Sequence, residues 1–239
     1  MEISKLIKEH ILILDGAVGT YLQTFHLTPE HFGGEEYVGC NEQLVLSAPD
    51  IVTRLHEDYL AAGADIVETD TFGATSIVLE EYGLQNKVTE INVKAVELAR
   101  RACEKFSNVE KPRFVAGSMG PTTKSLSLTE GFSFDEMADA YREQAAALIN
   151  AGCDYLLLET AMDTLNLKAG RAGIQQAFED TGKVIPVAVS VTIESTKTML
   201  AGQNIEALYT SIEHIKPLYV GMNCATGPSK MKDDLRTLA

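Results

Sequence analysis

The amino-acid sequence predicts an α/β fold with a parallel β-sheet, organised as one domain over residues 1–239. Short apolar runs typical of buried strands alternate with longer segments whose apolar residues recur every three or four positions, as on one face of a helix. No linker interrupts this alternation, and 45% of the 239 residues are hydrophobic, which is enough for a packed core. Strands that alternate with helices in this way favour a parallel sheet covered by helices.

The first half of the chain contains three predicted strands. The run Ile11–Leu14 is apolar and ends in the Gly-rich turn Asp15–Thr20, a pattern typical of a buried strand that leads into a loop. The polar segment 24–48 is predicted to be a long irregular loop of the kind that covers a site. Residues 64–72 and 113–121 are the next two predicted strands.

Two helices are predicted between these strands. Pro49 marks the first turn of one helix, because a proline there removes only a backbone N–H that would be unpaired anyway, and Gly63 ends that helix. The other helix is predicted from apolar residues three and four positions apart, which share one helical face. These residues are Val88, Ile91, Ala95, Leu98 and Ala102.

The second half of the chain continues the alternation to six strands. The predicted elements are a helix that ends at Gly152, a strand at 153–160, a helix at 165–178, a strand at 184–193, a helix at 205–215 and a strand that begins at Leu218. The sequence Ala-Gly-x-Asp, an apolar run and Glu-Thr occurs twice. Because side chains alternate along a strand, this repeat places Glu68 and Glu159 on equivalent faces of two strands.

Charge and cysteine content limit the function classes. The formal net charge of −14 argues against a nucleic-acid partner, because such binding depends on Lys and Arg at phosphates. No apolar run approaches the ~20 residues needed to span a bilayer, so no membrane insertion is expected. The four cysteines lie far apart without CxxC spacing, and the first residues do not resemble a secretion signal. We therefore predict a reducing, cytoplasmic location.

Polar residues and glycines at the predicted strand ends are the candidate site residues, because the carboxyl ends of strands build the active sites of α/β barrels. They are Asp15, Gly16, Gly19, Thr20, Glu68, Glu159, Asn223 and Cys224. Each type also has a purely structural explanation. Glycines serve turn geometry, carboxylates solvate strand ends or cap helices, and a lone cysteine packs as a small hydrophobic residue.

Six motifs along the chain together resemble the homocysteine S-methyltransferase family. They are Asp15-Gly-Ala-Val-Gly-Thr20, Asn41 to Pro49, Glu68-Thr-Asp-Thr-Phe72, Gly117-Ser-Met-Gly-Pro121, Glu159-Thr with Asp163 and Asn166, and Gly221-Met-Asn-Cys224. Their order and spacing are most similar to the homocysteine-binding barrels of the cobalamin-dependent members. The resemblance spans nearly the whole chain and implies a TIM (β/α)8-type barrel, of which about six βα units are present.

The resemblance also implies a chemistry. The domain would bind homocysteine, and zinc would hold its thiol as a thiolate that accepts a methyl group to give methionine. Asp15 and Glu159 would bind the substrate ammonium, and Asn223 would shape the pocket. Cys224 would be the first of three cysteine ligands of the zinc. Cobalamin- and folate-binding domains or chains would supply the methyl group.

The sequence departs from the family pattern in three respects. The adjacent Cys-Cys pair that supplies the other two zinc ligands is absent, and so are the seventh and eighth βα units. We therefore expect a C-terminally incomplete barrel, an incomplete zinc site and no methyltransferase activity of this chain alone. Asp70 stands where the family pattern has Asn, which would add a negative charge beside Glu68.

Two alternative functions stay open at the level of the sequence. One is a stand-alone homocysteine methyltransferase that uses a small methyl donor such as S-methylmethionine. The other is a non-catalytic amino-acid-binding protein, which keeps Asp15 and Glu159 but lacks the Cys-Cys pair.

Overall fold

The computed structural model describes residues 2–239 and contains a five-stranded parallel sheet in the order β1-β2-β3-β4-β5. The strands are β1 (Ile66–Glu68), β2 (Phe114–Met119), β3 (Tyr155–Ala161), β4 (Val187–Val191) and β5 (Val220–Met222). The register pairs Ile66 with Phe114, Ala116 with Tyr155 and Val189 with Val220. The sheet curls into a half-barrel, which confirms the α/β fold and is consistent with part of a TIM barrel.

The predicted strand Ile11–Leu14 is only partly formed. Leu14 makes an isolated parallel bridge to Ile66, and the amides of Asp65 and Ile66 donate to the carbonyl of Ile13. Ile11 is 95% exposed and Ile13 is 58% exposed, so the run is not buried as the sequence predicted. It pairs with β1 on one side only, and just its alternate residues face the core. Of the six predicted strands, five form, most of them over shorter ranges than predicted, and the first is a single bridge.

Apolar side chains pack on both faces of the sheet, as expected for parallel strands that are covered on both sides. The face inside the half-barrel contains Ile66, Phe114, Ala116, Tyr155, Leu157 and Ala188, with Leu14 packed against them. The alternate residues of the same strands, including Val67, Val115, Leu156, Leu158 and Val189, pack against the helices. This alternation directs successive side chains at the strand ends either into the half-barrel or toward the helices.

Five long helices lie at or near the predicted positions. They are α5 (Pro49–Ala62), α7 (Val88–Phe106), α8 (Phe134–Ala151), α9 (Thr164–Thr181) and α10 (Ile205–Ile212). Pro49 is the first residue of α5, and Gly63 ends the helix with a φ of 117°. Ser133 and Glu136 form a capping box at the start of α8, and Asp163 caps α9 by accepting the Leu165 amide. These local signals set the helix ends and so the loops between strands.

The segment 24–48 is wrongly predicted as irregular. It contains α3 (Pro29–Phe32), α4 (Leu44–Ser47) and 3₁₀ turns at Glu35–Tyr37 and Asn41–Gln43. Further helices without a sequence prediction are α1 (Ile3–Leu6), α2 (Val18–Gln23), α6 (Ser76–Leu79) and α11 (Pro228–Leu238). The short ones span too few turns to show periodicity, and α11 contains no buried residue, so it has no apolar stripe to detect. Within residues 2–239, no helix combines the length and apolarity needed to cross a membrane.

Candidate functional site

A cavity of about 510 Å³ lies at the carboxyl ends of the strands. It brings together seven of the eight residues that the sequence analysis selected. These are Asp15, Gly16, Gly19, Glu68, Glu159, Asn223 and Cys224. Thr20 lies on α2 with its side chain exposed and does not line the cavity. Their convergence follows from the parallel sheet, because the residue at or after the end of each strand reaches the same edge.

Asp15 and Glu68 are held side by side at the first two strand ends. The backbone amide of Glu68 donates to Asp15 Oδ2 at 3.0 Å, while Asp15 Oδ1 is buried without a partner among the described residues. Burial and the nearby Glu159 raise the pKa of Asp15 to about 8. Burial also raises the pKa of Glu68 well above its usual value, and the charges of Glu159 and Asp15 add to the effect.

Glu159 completes a group of three carboxylates. Burial raises its pKa, and a hydrogen bond from the Ser118 hydroxyl offsets part of that rise. No Lys, Arg or His in the described chain lines this cavity. Ionised carboxylates without a counter-charge are unstable in a buried site. A cationic group bound in this cavity would stabilise them.

Two further carboxylates line the cavity, and the sequence analysis selected neither as a site residue. Glu42 is almost fully buried and its Oε1 accepts the Gly73 amide at 2.6 Å. Asp70 is 3% exposed, and its Oδ2 finds no partner within the described residues. Burial, followed by the charge of Glu42, raises the pKa of Asp70 well above its usual value. Asp70 therefore adds a carboxylate to the same cavity as Glu68, and Glu42 is the charged group that contributes to its raised pKa. The sequence does not single out Glu42, because the segment around it has no helical or strand pattern of apolar residues.

Asn223 ties three strand ends together through its side chain. Its Nδ2 donates to Thr160 Oγ1 at 2.7 Å and to Cys224 Sγ at 3.2 Å, and its Oδ1 accepts the Ser190 hydroxyl at 2.6 Å. Thr160 and Cys224 have φ angles of 55° and 59°, which non-glycine residues adopt only when surrounding contacts impose them. Asn223 bonds to the side chains of both residues.

Cys224 is the one exposed cysteine, since Cys40, Cys103 and Cys153 are buried. Burial raises the pKa of each buried thiol to about 12, so those three stay protonated. The structure therefore places a single accessible thiol at the edge of the acidic cavity. Among residues 2–239, no group of three or more His, Cys, Asp or Glu side chains has the arrangement of a metal site. These residues do not by themselves fit a zinc ion, because they offer one thiol ligand.

Close packing explains two glycines of the motifs. A Cβ on Gly16 would lie 2.9 Å from Tyr59 Oη, so the loop after Leu14 can rest on that ring only without a side chain. A Cβ on Gly120 would lie 2.7 Å from the carbonyl oxygen of Phe72, and the Gly120 amide donates to that oxygen at 2.9 Å. Gly120 thereby fixes Phe72, whose side chain is 41% exposed.

A second cavity of about 550 Å³ adjoins the first. Asn41, Glu42, Phe72 and Glu159 line both cavities, and Phe72 forms part of the wall between them. The second cavity extends over the ends of β2 and β3 toward Lys124 and Leu200. The site therefore has room for a second group beside whatever fills the acidic cavity.

Comparisons with known proteins agree with this architecture. The sequence model of a family described as "Homocysteine S-methyltransferase" matches residues 12–239. The metallated form of the homocysteine methyltransferase MmuM from Escherichia coli superposes with a TM-score of 0.77 at 22% identity, over 98% of this chain and 83% of that one. Its apo form gives a TM-score of 0.72 at 22% identity, with 98% and 81% covered. At this identity the superpositions show a shared fold, whereas the family match identifies the chain as a member of the homocysteine S-methyltransferase family.

Proposed function

We propose that this chain binds homocysteine in the acidic cavity and presents its sulfur for methylation to methionine, as the homocysteine module of a cobalamin-dependent methionine synthase. The carrying observation is the group formed by Asp15, Glu68 and Glu159, buried with raised pKa values and no basic residue beside it. A substrate ammonium would supply the missing positive charge. The order of the six sequence motifs supports the cobalamin-dependent type.

The methyl transfer to homocysteine gives the carboxylates of the cavity a role in binding the substrate. The homocysteine thiol loses its proton to solvent water, and its sulfur forms a bond to the methyl carbon while the bond from that carbon to the donor breaks. The electron pair of the broken bond stays with the donor. Because nearby carboxylates disfavour a thiolate, Asp15 and Glu159 serve the reaction by holding the ammonium and letting it cancel their charge.

Zinc would supply Lewis-acid stabilisation of the substrate thiolate. Cys224 would be one ligand, and the described residues contain no group of three or more His, Cys, Asp or Glu side chains arranged to complete the site. The chain alone is accordingly proposed to bind zinc poorly and to be inactive. Its free cysteines support a reducing, cytoplasmic location.

Calorimetry with substrate analogues tests the proposal. We expect homocysteine to bind and its analogue without the amino group, 4-mercaptobutanoate, to bind at least about tenfold more weakly, because a buried charge pair is lost. Asp15→Asn and Glu159→Gln should each weaken binding, whereas Glu104→Gln, an exposed carboxylate on α7, should not. Equal binding of both compounds would contradict an ammonium site.

A stand-alone methyltransferase is the second candidate, favoured by the superposition on MmuM. Methyl transfer to homocysteine from S-methylmethionine, without any cobalamin, would support it. Transfer only from methylcobalamin, or only after a cobalamin-binding chain is added, would support the module. If homocysteine and methionine bind equally without metal and no donor is used, the amino-acid-binding alternative holds.

A further inference from the structure

A groove of about 480 Å³ runs along the outside of the half-barrel, between α9 and the segment formed by α10 and the following turn. Its floor is apolar and consists of Leu167, Ala172, Ile212 and Ile215. Its rim carries three basic side chains, which are Lys168, Arg171 and His214. In the described chain, no Asp or Glu lines this basic groove. It shares no residue with the acidic cavity and only Leu167 with the second cavity described above.

The basic residues of the groove lack the acidic partners found elsewhere. Arg100, Arg113 and Arg142 each bond a carboxylate within 3.0 Å. Lys168, Arg171 and His214, by contrast, form no ion pair with any carboxylate of residues 2–239. Arg171 donates only to the amide oxygen of Gln175, at 3.1 Å.

The groove differs in charge from the chain as a whole, which has 34 acidic and 20 Lys or Arg residues. The nearest carboxylate given by the hydrogen bonds is Glu179, which accepts from Gln175 at 3.5 Å and forms no ion pair with the three basic residues. Burial lowers the pKa of Arg171, as expected for a partly desolvated cation without a counter-charge. An acidic ligand would restore the pairing that the chain itself does not provide.

We propose that the basic groove is a docking surface for an acidic amphipathic helix of a partner protein. The apolar floor between two helices would accept the apolar face of such a helix, as in other helix-in-groove complexes. Carboxylates on the flanks of the helix would pair with Lys168 and Arg171, which gives orientation and speeds association. A nucleic acid fits less well, because three bases on a chain of net charge −14 neutralise too few phosphates.

A pair of peptides tests this surface on the intact 239-residue chain. The probe is a fluorescein-labelled helical peptide with leucine along one face and glutamate along its flanks, and the comparison peptide has lysine in place of every glutamate. Fluorescence anisotropy should show binding of the acidic peptide only, weakening as salt is added. The double variant Lys168→Glu/Arg171→Glu should weaken binding at least about tenfold, because two attractive charge pairs become repulsive.

The matched control is Arg101→Glu/Lys183→Glu, which makes the same charge change outside the groove and should leave binding unchanged. If the first variant unfolds, as judged by circular dichroism, Lys168→Gln/Arg171→Gln replaces it and should still weaken binding. Failure of the acidic peptide to bind, equal binding of the lysine peptide, or equal loss in the control variant would each overturn the proposal. Binding of poly(U) at the same site with equal affinity would instead indicate a general polyanion surface.

Discussion

Replacing Asp15 by Asn should make the ligand-free protein more stable while removing its affinity for homocysteine. Asparagine keeps an oxygen that can accept the Glu68 amide, which donates to Asp15 at 3.0 Å, but it carries no charge to desolvate. In the wild type the pKa of Asp15 rises from 3.8 to about 8, chiefly through burial and then through the charge of Glu159. The substitution therefore removes an ionisation cost and leaves the shape of the site.

The sign and size of the effect follow from proton linkage. Because the folded-state pKa is raised, the contribution of Asp15 to stability is fully present below pH 3.8 and is lost as pH rises to about 8. Each pH unit in this window corresponds to about 1.4 kcal/mol. The stability advantage of Asp15→Asn over wild type should therefore grow with pH, by up to about 4 kcal/mol between pH 5 and pH 8.

Urea unfolding at several pH values measures this difference directly. Asp15→Asn and wild type should converge near pH 4 and diverge steadily as pH rises, whereas Glu104→Gln should follow wild type throughout. A variant that is less stable by a constant amount at every pH would refute the reasoning, since Asp15 would then be a structural hydrogen-bond acceptor. Calorimetry on the same samples should show that binding is lost where stability is gained, a trade-off expected of a functional site.

Three further predictions concern the rest of the chain. His56 is fully buried, and neither ring nitrogen has a partner among residues 2–239. Because burial lowers the pKa of His56 to about 4, the wild-type protein should lose about 3 kcal/mol of stability between pH 6.5 and pH 4, and His56→Leu should not. Parallel pH–stability curves for the two proteins would contradict this. A Cβ on Gly173 would lie 2.2 Å from the carbonyl oxygen of Ala138. Gly173→Ala should therefore force α8 and α9 apart and lower the free energy of unfolding by about 1–3 kcal/mol. An unchanged melting temperature would contradict this and show that the two helices adjust freely. Iodoacetamide should label Cys224 alone in the native protein, as measured by peptide mass spectrometry. The Cys224→Ser variant should take up no label. Rapid labelling of Cys40 would contradict this and show that its burial is transient.

Most of the fold could be predicted because its signals are local and repeated. The stripe from Val88 to Ala102, the proline at 49 and the glycines at 63 and 152 each mark a helix face or end without reference to distant residues. The prediction of a buried strand at Ile11–Leu14 is wrong, because apolarity alone does not reveal that a strand has a neighbour on one side only. Helix α11 was missed since it buries no side chain.

The sequence predicts only those site residues that lie at the carboxyl ends of strands. Parallel strands deliver their last residues to one edge, which was enough to select Asp15, Glu68, Glu159, Asn223 and Cys224. Glu42 enters from a 3₁₀ turn, and nothing in its neighbourhood of the sequence signals that the turn folds over the sheet. The hydrogen bonds of Asn223 to Thr160 and Ser190 join residues more than 30 positions apart, and no local pattern in the sequence predicts them.

The hydrogen bonds of the Asn223 side chain limit which substitutions the protein can accept during evolution. Its amide uses both donor and acceptor groups on partners from two neighbouring strand ends and also contacts Cys224. An exchange of Ser and Thr at 160 or 190 keeps the hydroxyl that bonds Asn223, whereas any other single replacement at 160, 190 or 223 leaves a polar group without its partner. Related sequences should therefore keep a hydroxyl at 160 and 190 wherever they keep Asn223, or change the three positions together, and the exposed thiol should keep its orientation through such exchanges.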